Sequence, residues 1–104
     1  MSTASLVEIY KATAAALTAN REEWLSFLAN LARNYKKSYD NNVLIYAQRR
    51  NTTLLATYDE WLEYGRQVRR NSKGIAVLDL ANPQASLKHY FDFTDTEGSA
   101  ESFQ

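Results

Sequence analysis

The sequence predicts an α+β domain of about four α-helices packed on a C-terminal antiparallel β-hairpin or small sheet. Two observations lead there. Up to Gly65 the apolar residues recur every three or four positions, the period of a helix face. Beyond it the helical signals fade. Two short apolar runs, IAVLDL (75–80) and KHYFDF (88–93), flank a loop, ANPQASL, that holds Pro83. A hairpin alone is marginal in water, so the helices are expected to cover one of its faces.

The first helix spans residues 4–18, where Leu6, Ile9, Tyr10, Thr13 and Leu17 share one side. Asn20 stands where the next helix needs an N-cap, with Glu23 in capping-box position. That helix runs to about Arg33 and places Trp24, Phe27, Leu28 and Leu31 in one stripe toward the core. A third, short helix lies in 38–50, capped by Ser38 or Asp40, with Leu44, Ile45 and Ala47 as its apolar face. Arg49 and Arg50 fall in its last turn, where cations suit the helix dipole. Residues 51–55 read as a connector. Thr57 then caps a fourth helix that buries Trp61 and Leu62, with Asp59 and Glu60 in its first turn and Gly65 as its stop. In the second strand His89, Phe91 and Phe93 alternate against Tyr90 and Asp92. The tail from Thr94 lacks apolar periodicity and is expected to fray. The domain organisation that follows is an N-terminal helix (1–19) packed as one unit with a domain over 20–94, and a flexible acidic tail over 95–104.

Composition removes several function classes. The chain has 104 residues and no cysteine, so disulfides and Cys-based zinc sites are excluded, and its single histidine is too few for a histidine metal site. No apolar run approaches the roughly 20 residues of a membrane span, and no secretory signal is visible, so a cytoplasmic home and no membrane partner are expected. No glycine-rich phosphate loop or HExxH motif is present, and no cofactor or metal is implied. His89 has Asp92 and Asp95 nearby, but no nucleophile is marked by context. An enzyme with His89 as base is the weakest reading, and His89 as a half-buried strand residue is the simpler one.

The net charge is zero but unevenly spread. Between Arg33 and Ile75 nine cations face four anions, leaving +5, whereas from Ala81 onward one cation faces four anions, leaving −3. Cations interleave with aromatics and amides twice, in RNYKKSYDNN (33–42) and in GRQVRRNSK (65–73) with Tyr64 before it. Single-stranded nucleic acid needs this combination. Lys and Arg neutralise phosphates and release counterions, while aromatic faces stack on unpaired bases for roughly 1–3 kcal/mol each. The phosphate candidates are Arg66, Arg69, Arg70 and Lys73, with Lys36, Lys37, Arg49 and Arg50. The stacking candidates are Tyr39 and Tyr64, and the polar ones Asn41 and Gln48. The structural alternatives are core-plugging tyrosines, and Asn41 and Gln48 fixing the loop after the third helix.

Ser38, Tyr39 and Asn41, then Leu44, Ile45 and Gln48, then Trp61, Gly65 and Arg66, then Lys73, Gly74 and Ile75, and finally Phe91 and Asp92 occur in an order that resembles the N-terminal domain of ArdC-type antirestriction proteins. The same domain occurs in LtrC-like and TraC-like conjugation and mobile-element proteins. The resemblance covers about residues 20 to 98. It implies a single-stranded DNA-binding domain that usually precedes others, often one like a zinc metallopeptidase; no such domain lies in these residues and no peptidase activity carries over. Three positions depart from the family pattern: Lys37 stands where an aromatic is common, Arg50 where a proline is, and Asn71 where a glycine is. Asparagine tolerates a left-handed backbone better than most residues, so the turn at Asn71 is expected to survive.

The expected partner is therefore single-stranded DNA, with other domains of a larger mobile-element protein as further partners. The alternative is a protein-interaction module whose basic face docks an acidic protein partner. The acidic end folding over the basic face as a mimic of DNA is a third expectation.

Overall fold

Four short polar side chains set the helix starts. In the computed structural model, which describes residues 2–78 and 87–98, the helices are α1 (Thr3–Ala19), α2 (Arg21–Arg33), α3 (Tyr39–Gln48) and α4 (Tyr58–Glu63). Their caps are Ser2, Asn20, Ser38 and Thr57, each accepting the backbone N–H three residues on. Asn20 is extended (φ −138°, ψ 115°), so α1 ends and α2 begins across a single residue. Thr57 and Glu60 complete a reciprocal capping box. Glu23 does not serve Asn20 as the spacing predicted. Its carboxylate accepts from the Tyr46 hydroxyl and from Arg50, both at 2.6 Å.

Helix α3 is the centre of the fold. Its residues 42 to 46 are all buried. Leu44 and Ile45 join Leu6, Leu55, Ile75, Ala76 and Val77 in one apolar cluster. Val43 and Tyr46 join Leu17 and Phe27 in a second, and Tyr10 packs against both. Sequence periodicity placed Ala47 inward, but Ala47 is exposed and Val43 and Tyr46 take the second inward face. A helix packed on two sides has no single stripe to read. Leu28 and Leu62, also expected inside, are exposed, while Trp61 is fully buried and donates its indole N–H to Phe91 O at 2.8 Å.

The strands form two sheets. In the first, β4 (Lys88–Asp92) lies between β1 (Leu55–Ala56) and β3 (Ile75–Val77), with both pairs antiparallel. The register Ile75↔Tyr90, Ala76↔His89, Val77↔Lys88 is the expected strand pair. The residues 79–86 that join them, including Pro83, lie outside the described residues. The second sheet pairs β2 (Arg66–Val68) with β5 (Thr96–Gly98). The expectation of a loose tail from Thr94 therefore fails as far as Gly98, because β2 supplies the partner strand. Residues 99–104 lie outside the described residues. Expected alternation also stops one residue early. Phe93 opens a 3₁₀ turn, Phe93–Asp95, and Asp92 is buried at its head.

Candidate nucleic-acid interface

Asp92 fixes the turn that leads into β5. Its carboxylate accepts from the Thr53 N–H (2.7 Å) and hydroxyl (2.8 Å), and from the Thr94 N–H (3.1 Å) and hydroxyl (2.6 Å). Burial pushes its pKa up, yet these bonds outweigh the desolvation and hold it below the usual carboxylate value. Arg49 reaches the same carboxylate at 3.7 Å. The turn thus lays residues 94–97 against the basic segment 66–73.

That contact decides the fate of several predicted phosphate ligands. Arg66 is not on the surface. It is buried, donates to the Thr96 hydroxyl (2.7 Å) and carbonyl (3.0 Å), and its guanidinium lies 4.2 Å from the Phe93 ring centroid. It joins β2 to β5. Arg49 donates to Asp95 at 2.7 Å and to the Thr94 hydroxyl at 2.9 Å. Arg50 is exposed but paired with Glu23. Arg69 is exposed, donates to Thr94 O at 3.1 Å and stands 3.9 Å from Glu97. Arg70 and Lys73 are exposed and make no ion pair among the described residues.

The loop carrying Arg69 to Lys73 is held in shape by backbone. Asn71 adopts φ 67°, the left-handed region in which asparagine is favoured among residues with a side chain. Arg69 N–H donates to Asp95 O and Ser72 N–H to Arg69 O. Next to this loop lies an open groove of about 950 Å³. Its lining mixes the apolar Ile9, Ala47 and Ala76 with Arg49, Lys73, His89 and Asp95.

The two predicted amides have another task. Among the described residues strand β3 pairs with β4 alone, which leaves the backbone of Ala76 and Leu78 facing α3. Gln48 accepts from the Ala76 N–H at 2.9 Å and donates to the Ala76 carbonyl at 2.7 Å, as a neighbouring strand would. Asn41, seven residues earlier on the helix, donates to Leu78 O at 3.2 Å. The pair blunts a sheet edge. This is the structural role that the sequence left open for them, with a strand rather than a loop as its object.

The remaining candidates do not join the groove. Tyr39 is exposed and meets Phe27 edge-on; Tyr64, also exposed, meets Trp61 edge-on. Neither lines the groove. Lys36 and Lys37 belong to a separate patch. Lys37 stands 4.8 Å and Lys88 5.5 Å from the centroid of the Tyr90 ring, and Lys36 is 5.9 Å from that of Tyr35. Burial pushes the Lys37 pKa down and the charge of Lys88 adds to this, against the pull of Glu60. Tyr35, at 71% exposure, is the most exposed of the large apolar side chains in this patch, and sequence reasoning passed it over as a stacking residue. Its position beside two lysines was the available signal.

The class defined by these features is a small α+β domain that presents a cationic loop beside an open groove. The chain belongs to the family of the N-terminal domain of anti-restriction factor ArdC, whose model matches residues 5–102. No curated protein and no solved structure matched the chain. Among the described residues no helix is long and apolar enough to cross a membrane.

Proposed function

We propose that this domain binds single-stranded DNA with little sequence preference, without catalysing a reaction itself, within a mobile-element protein concerned with anti-restriction or conjugation. The observation that carries this reading is the Arg70–Lys73 turn. Two cations without ion pairs among the described residues flank the left-handed Asn71 and Ser72, and of this turn Asn71, Ser72 and Lys73 line the groove. Phosphates lie along Arg69, Arg70 and Lys73, and bases rest in the groove against Ile9, Ala47 and the His89 ring. Apolar and aromatic lining accepts any base. The amides that read base edges elsewhere are here committed to β3, which favours binding without sequence readout.

A labelled oligo-dT titrated at increasing salt tests the reading. Three neutralised phosphates at roughly −0.7 each give a log–log slope of about −2. Absence of binding at low salt contradicts it. One observation favours a second reading: carboxylates of the chain already sit against Arg49 and Arg69. An acidic peptide that binds with salt dependence where the oligonucleotide does not is the result that establishes the protein-docking alternative.

A further inference from the structure

Two of the cations beside the groove are met by the chain's own acids, and the acids differ in kind. Asp92 is buried and fully engaged by Thr53 and Thr94. Asp95 is partly exposed, lines the groove, and holds Arg49 at 2.7 Å. Glu97 is mostly exposed and stands 3.9 Å from Arg69.

The fold has little need of the Asp95 side chain. Its segment is tied by backbone, through Arg69 N–H and the Ser72 hydroxyl, both donating to Asp95 O. Arg49 is held without it, by Thr94, by Asn51 O at 3.3 Å and by Asp92. Half-exposed ion pairs of this sort add little stability. The carboxylate nonetheless places a negative charge inside a groove whose lip is cationic, and neutralises an arginine that is already positioned.

We propose that Asp95, with Glu97 in a lesser part, sets the affinity of this groove for polyanions by standing where a strand phosphate would otherwise meet Arg49. The inference rests on the DNA-binding reading above. A phosphate entering the groove must displace Asp95 from Arg49 or do without that arginine and bear the repulsion. Binding is thereby kept weak and reversible, and only a strand with several phosphates on Arg69, Arg70 and Lys73 overcomes the competitor.

The experiment measures oligo-dT affinity against salt for the native chain, Asp95→Asn, Asp95→Ala, Glu97→Gln and the remote control Glu22→Gln, with thermal unfolding of each. Removing one charge within about 7 Å of a phosphate is expected to tighten binding roughly threefold to tenfold at low salt. The slope should steepen by about 0.7, as one more phosphate is neutralised. Both Asp95 variants show the gain, Glu97→Gln a smaller one, and Glu22→Gln none. Adding Arg49→Gln to Asp95→Asn abolishes the gain. Equal affinity of Asp95→Asn and Glu22→Gln, or weaker binding by both Asp95 variants at unchanged unfolding temperature, overturns the proposal while leaving DNA binding in place. If neither the native chain nor Asp95→Asn binds, both readings fall.

Discussion

Replacing Asp92 with alanine is expected to cost this domain much of its stability. The side chain accepts four hydrogen bonds from Thr53 and Thr94, at 2.6 to 3.1 Å, and faces Arg49. Bonds to a charged acceptor contribute about 1.5–3 kcal/mol each but do not add. Removing one member of a buried charged network costs about 3–5 kcal/mol. We expect about 3–4 kcal/mol, against a total of about 5–15 kcal/mol for a domain. At about 4–8 °C per kcal/mol, that lowers the unfolding midpoint by about 15 °C or more. Asp92→Asn does not rescue it. Its amide has one acceptor oxygen, but the Thr53 and Thr94 N–H groups approach different oxygens, so one N–H must oppose an NH₂. About 2 kcal/mol is expected for that variant. The pH dependence has a defined sign. The folded pKa lies below the unfolded one of about 3.9, so the stabilisation is fully present above that value and is lost as pH falls through the folded pKa. The gap between native and Asp92→Asn should hold from pH 7 to 5 and narrow below about 4. Urea unfolding at several pH values measures this. Equal stability of Asp92→Asn and native protein at pH 7 would show that the four bonds do not depend on a charged carboxylate.

Two further predictions concern the sheets. Gln48→Ala leaves the Ala76 N–H and carbonyl without partners and is expected to cost about 1–3 kcal/mol in urea unfolding. A change below about 0.5 kcal/mol would show that Gln48 does not cover the β3 edge. Gly98→Ala places a Cβ 2.7 Å from the Gly65 carbonyl oxygen, a backbone atom that cannot step aside. Hydrogen exchange should accelerate across 66–68 and 96–98 while β3–β4 keeps its protection; uniform protection in both sheets counts against the close approach.

Short-range chemistry was legible. Asn20, Ser38 and Thr57 cap helices through bonds to residues three positions away, so the sequence announces them locally. The β3–β4 pair was visible as two apolar runs around a proline loop. Strands β1, β2 and β5 were not, because two or three residues carry no periodicity and their partners are remote: Arg66 pairs with Gly98 and Leu55 with Asp92. The same distance hid the roles of the cations. Arg66 reads as surface charge until Thr96 and Phe93 enclose it, and Arg49 until Asp95, 46 residues on, takes it. Gln48 and Asn41 carried a readable sign. Two amides seven residues apart, on a helix whose other inward residues are apolar except Asn42, ask for a row of backbone groups to meet them.

On the proposed reading the Arg70–Lys73 turn neutralises phosphates. Oligonucleotide affinity of Arg70→Glu/Lys73→Glu against salt, beside the native chain, tests it most directly. Both residues are exposed and outside the ion pairs of the described residues, so unfolding should be unchanged within about 0.5 kcal/mol. Affinity should fall more than about tenfold at low salt, with the slope shrinking toward a single phosphate, about −0.7. Native-like affinity and slope in the folded variant would show that this turn does not hold the strand.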